Sequence, residues 1–139
     1  MKYPKELQTL IDDGKWPEHD STLKGVITNV VLLKMFPEES GHLVLTPTPF
    51  ITMKKEAEIL KNISHDAGVQ LYLNVENPDQ SVIIGWFGHG ADTALIVDCS
   101  TERYEVKKYV FDDCWRSLGT FKEFHDKLNL PNAKYKRYC

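Results

Sequence analysis

The chain has 139 residues, of which 42% are hydrophobic and 27% charged, and its formal net charge is −3. That length suits one domain with a sizeable core, and the composition excludes an intrinsically disordered chain. No apolar run approaches the roughly 20 residues of a membrane-spanning helix, and MKYPKELQTL at the start predicts no secretory leader.

In chain order, Pro4–Asp13 reads as a first helix. Leu7, Leu10 and Ile11 share a face, and Gly14 is placed to end the helix in a left-handed cap. Gly25–Leu33 is dense in β-branched residues and predicts a strand, with His42–Leu45 as its partner. Pro47 and Pro49 then break the ladder, because proline has no amide hydrogen to donate. Thr52–Asp66 predicts a helix, with Met53, Ala57, Leu60 and Ile63 at helical spacing. Val69–Val75 alternates as a strand, and Asn77-Pro78-Asp79 is a turn.

The second half reads as a meander. Strands are expected at Val82–Phe87, Thr93–Asp98 and Arg103–Phe111, joined by short connections that favour antiparallel pairing. Thr120 and Glu123 have capping-box spacing at the start of a last helix, whose apolar face is Phe121, Phe124 and Leu128. These elements predict a single α+β domain over residues 1–139. It holds a mixed, largely antiparallel sheet of five or six strands with helices packed on one side. The faces of Leu71, Leu73 and Val75 and of Phe121, Phe124 and Leu128 are expected to meet in the core. Residues 131–139 are read as a basic C-terminal tail.

Charge is uneven along the chain. The last nine residues, PNAKYKRYC, hold three basic and no acidic side chains, leaving 14 basic against 20 acidic in residues 1–130, a net −6. An acidic body disfavours direct nucleic-acid binding and suits a basic protein partner. Cys99, Cys114 and Cys139 are odd in number and widely spaced, as in a reducing cytoplasm, and form no CxxC pair.

Catalytic constellations are weak. GWFGHG lacks the lysine and hydroxyl of a phosphate loop and the spacing of a dinucleotide fold, so its glycines read as a turn between close strands. His89, Asp92 and Asp98 could be drawn as an acid–base or metal cluster, the basis of an alternative reading as a small hydrolase or ligand-binding enzyme using the glycine turn. Three residues do not specify such a site, and Asp98 is expected to leave the sheet at a strand end. His65, His89 and His125 lack metal-ligand spacing, so no metal or cofactor is predicted. Cys99 and Cys114 stand beside Asp98 and Asp113, whose charge disfavours a thiolate.

Surface candidates remain. Glu38, Glu39, Glu102, Asp112 and Asp113 fall in predicted turns, and Trp16 and Trp115 in connecting segments. Loop carboxylates with an aromatic anchor suit protein recognition. The expected contact set is Glu38, Glu39, Asp112, Asp113 and Trp115.

The segment SVIIGWFGHGADTALIVD at Ser81–Asp98, followed by TFKEFHDKL at Thr120–Leu128, resembles the SUKH superfamily. The likeness lies in the order strand, glycine turn, strand, aspartate and closing helix, and extends over about Leu45–Leu128. YPKELQTLIDDG at Tyr3–Gly14 is similar to the family's opening helix, although GKWP replaces its usual Asn-Gly and one further N-terminal helix is missing. The resemblance implies a non-enzymatic α/β binding module. Many bacterial members look like immunity proteins that neutralise a cognate toxin, often a nuclease, in the cytoplasm. Fungal members look like regulators of cell-wall synthesis that act as scaffolds. For this chain it implies a basic toxin domain as partner, with the binder a monomer or weak homodimer.

Overall fold

The computed structural model describes residues 1–23, 43–66, 75–87, 93–110 and 115–138. Helix α1 (Lys5–Asp12) follows Pro4 and buries Leu7 and Leu10. Gly14 takes φ +69°, and the amides of Gly14 and Lys15 turn back onto the Ile11 and Leu10 carbonyls at 3.1 and 2.8 Å. This is the expected left-handed stop, a conformation that side chains resist. Strands β1 (Ser21–Leu23), β2 (Leu43–Leu45) and β3 (Ile51–Thr52) precede helix α2 (Met53–Ile63), which Thr52 caps through the Lys55 amide. Then come β4 (Ser81–Phe87), β5 (Thr93–Asp98), β6 (Glu105–Val110), β7 (Trp115–Thr120), α3 (Phe121–Leu128) and β8 (Tyr135–Arg137).

The fold is α+β around one open sheet with eight strands among the described residues, more than the five or six expected. Its order is β7-β6-β5-β4-β2-β1-β8, with β3 also on β4, and every pairing among the described residues is antiparallel. β2 and β3 share one edge of β4, opposite Gly85–Phe87 and Val82–Ile83 respectively. The Pro47/Pro49 segment loops out between them, where the missing amide hydrogens cost no ladder bonds. The strands expected at Gly25–Leu33 and Val69–Val75 lie outside the described residues, apart from Val75, which is not in a strand.

Two cores sit on the two faces of this sheet. Val82, Ile84, Leu95, Val97 and Val106 pack with α1 and α3. Ile83, Ala94, Ile96 and Tyr109 point the other way and pack with Met53 and Ala57 of α2 and with Val75. The expectation that the helices share one side is therefore corrected, and Val75 does not meet the Phe121/Phe124/Leu128 face. Alternation along each strand forces the division, since successive side chains leave opposite faces. All six residues of β5 are buried, which explains its unbroken apolar run.

The basic C-terminal segment joins the sheet. Its Tyr135–Arg137 stretch is the terminal strand of the sheet, paired with β1 from Leu23↔Tyr135 to Ser21↔Arg137. The Tyr138 amide adds a 2.7 Å bond to the Asp20 carbonyl. Tyr135 supplies the reason: its ring packs onto the core beneath α1 and α3 while Lys136 remains in solvent.

The Thr120–Glu123 capping box forms as the spacing predicts, and Phe121 and Phe124 beyond it are fully buried. Phe124→Ala should lower stability by about 3–5 kcal/mol in urea denaturation. A Cβ at Gly85 would lie 2.8 Å from the Val44 carbonyl oxygen on the neighbouring strand. Because that atom is backbone and cannot swing away, Gly85→Ala should cost about 1–3 kcal/mol by the same measurement.

Candidate interaction surface at the β7 edge

The second face of the sheet carries a polar network between β5, β6 and β7. Register places Lys107 of β6 opposite Ile96 on one side and Ser117 on the other. This lysine is 3% exposed, and its Nζ lies 3.3 Å from Asp98 Oδ2 and 3.8 Å from Glu76 Oε2. The same ammonium sits 4.8 Å from the centre of the Trp115 ring, within cation–π range. A buried ammonium is tolerated only when paired, and here two carboxylates and a π face surround it.

Asp98 is held from several directions. Its Oδ1 accepts the Ser100 amide at 2.9 Å, and Asn77 Nδ2 reaches Oδ2 at 3.5 Å and Ser100 Oγ at 3.1 Å. Burial pushes the Asp98 carboxyl up, but the Ser100 hydrogen bonds and the Lys107 charge outweigh it and hold the carboxyl below its ordinary value. Asp98 therefore turns into the network, where the sequence reading expected it to leave the sheet. The Asn77–Gln80 turn is the expected one, closed by a 3.0 Å bond from the Gln80 amide to the Asn77 carbonyl. It carries Glu76 and Asn77 to the end of β5. The Tyr109 hydroxyl is buried nearby, and burial pushes it up to about 12, with the Glu76 backbone opposing the rise and the neighbouring carboxylates adding to it.

Trp115 opens β7, so it belongs to a strand and not to a connecting segment. In the sheet order β7 is terminal, and Trp115, 40% exposed, presents one ring face outward over Lys107. Glu38, Glu39, Asp112 and Asp113 lie outside the described residues, so Trp115 is the one expected contact residue that is placed. Glu102 is exposed in the turn before β6. Trp16 is a core residue, 5% exposed, whose indole N–H donates to the Thr46 carbonyl at 2.8 Å.

Lys107 was the residue that sequence reasoning passed over. Its signal was Lys107-Lys108 inside a strand between Val106 and Tyr109, where charges are expected only if both stems are covered. Lys108, also 3% exposed, takes the opposite face, 5.7 Å from the Phe87 ring.

Lys107 is paired with Asp98 and Glu76, and Asp98 is hydrogen-bonded to Ser100 and Lys107. The Cys99 thiol is pushed up to about 11 by burial and by Asp98, which disfavours the thiolate a nucleophile needs. Of the acid–base trio drawn from the sequence, His89 and Asp92 lie outside the described residues. No three His, Cys, Asp or Glu side chains among the described residues are grouped to hold a metal ion, and no described helix is long and apolar enough to cross a membrane. No family model, curated protein or solved structure matches this chain.

Asp98→Asn should remove about 3 kcal/mol of stability at neutral pH, the low end for breaking a buried pair because Glu76 remains. The carboxyl titrates below its unfolded value of about 4, so its contribution is complete above that pH and fades as pH falls through the depressed value. Urea denaturation across pH should show wild type and variant converging in acid.

Proposed function

We propose that this chain is a non-enzymatic protein-binding domain of the SUKH kind. In this reading it acts in the cytoplasm as an immunity protein, docking on a basic, nuclease-type toxin domain and blocking it. Trp115 carries the proposal. A ring this large is left 40% exposed at a sheet edge and is braced from beneath by a buried ammonium. Tryptophan in that setting is typical of an interface anchor, since its apolar area is already oriented before the partner arrives.

Two further observations support the reading. Residues 1–130 carry a net −6, which would steer a basic partner into encounter. The antiparallel succession β4, β5 ending at Asp98, β6 and the closing helix α3 agrees with the arrangement that the resemblance implies.

The test is co-expression with a toxin domain encoded beside this chain's gene. Wild type should restore growth, and the purified pair should form a stoichiometric complex. Trp115→Ala should weaken that complex about tenfold or more, chiefly through faster dissociation. Growth arrest despite well-folded wild-type protein defeats the immunity reading. Capture of several unrelated partners in place of one toxin favours a regulatory scaffold.

A further inference from the structure

Away from Trp115, a cleft of about 240 Å³ opens where α1 ends. Its walls are Ile11 of α1, Gly14, Trp16, Pro17 and Glu18 from the α1–β1 connection, and Pro47 and Thr48 from the loop between β2 and β3. The space is smaller than the roughly 300–1,000 Å³ of small-molecule sites and suits one inserted side chain. A Cβ built on Gly14 would meet nothing within 4 Å, so the cleft is open at its helix end.

The chain segment that forms most of this cleft is predominantly acidic. The stretch DDGKWPEHD at Asp12–Asp20 holds four carboxylates and one lysine, a net −3. Asp12 accepts a hydrogen bond from Gln8, and among the described residues Asp12, Asp13, Glu18 and Asp20 form no ion pairs. α1 has no basic residue in its last turn, so its carbonyl end adds negative potential at the same place.

We infer that this cleft receives an arginine side chain of a basic protein partner, the methylene stem lying between Trp16, Pro17 and Pro47 and the guanidinium meeting Glu18 at the mouth. The Ile11, Pro17 and Pro47 surfaces within a mixed polar and apolar lining fit an amphipathic stem, and the carboxylates of the Asp12–Asp20 stretch supply complementary charge. The inference rests on the reading of the chain as a binder of a basic protein and names a second contact on that partner.

The test titrates the isotope-labelled full chain with a blocked Gly-Arg-Gly peptide and follows its amide resonances. Saturable shifts are expected at Gly14, Trp16, Glu18 and Thr48. The same peptide with citrulline, a neutral isostere, should bind at least about threefold more weakly, the worth of one exposed ion pair. Glu18→Gln should weaken the arginine peptide by a similar factor. Gly14→Asn, which tolerates positive φ and fills the open end, should abolish binding while shifts elsewhere stay unchanged. Equal binding of the citrulline or norleucine peptide overturns the inference, as does arginine binding that Gly14→Asn leaves intact or shifts that never saturate. Failure of toxin protection with peptide binding preserved would defeat the immunity reading alone. Protection unaffected by Glu18→Gln and Gly14→Asn, without saturable peptide binding, would defeat the cleft alone.

Discussion

Burial of the β4–β5–β6 centre on both faces is the constraint on which the rest of the structure depends. An antiparallel sheet can leave one face in water, but here β5 has no exposed position. Each face therefore needs its own cover. The larger core is closed by α1 and α3, and the smaller by α2 with Val75. A helix lost from either side would expose a row of Val, Ile and Leu side chains, and each such residue contributes about 1.5–3 kcal/mol when buried.

Two covered faces also explain why lysines lie inside. β6 continues the sheet beyond β5, and its Lys107 and Lys108 project to opposite faces at positions where neighbouring strands supply hydrophobic residues. Stems of that length pack as apolar material, while the ammonium must find charge or π density. On the α2 side Asp98, Glu76 and Trp115 provide it. Stability and surface are thus joined: the groups that make Lys107 tolerable also set the orientation of the exposed ring at the β7 edge.

The two proposed recognition surfaces differ in origin. At the β7 edge, an aromatic side chain stands on a strand whose backbone is fixed by six residues of sheet. At the end of α1, a concave site is formed by a helix stop, a buried tryptophan and a proline-rich loop, with unpaired carboxylates around it. The first offers area to a partner and the second offers charge and a socket. Both suit a partner that is basic and partly apolar, in keeping with the negative potential of residues 1–130.

What the sequence by itself determined is local. Gly14 as a helix stop, Thr120 as a cap, the apolar stripes of α1 and α3, and the strands at Val82–Phe87 and Thr93–Asp98 all follow from short-range sterics and periodicity. The α+β class and antiparallel pairing follow from short connections. Only the tertiary structure decided which face each helix covers, because alternation shows that a strand has two sides and not what lies against them. It turned Asp98 inward to Lys107, made Tyr135–Arg137 an edge strand by pairing it with β1 across most of the chain, and placed Trp115 on a strand and Trp16 in the core. The cleft was equally illegible, since Glu18 and Pro47 meet only after β2 has crossed the sheet. Each of these outcomes is a contact between residues far apart in sequence, and its energy depends on neighbours that no local pattern contains.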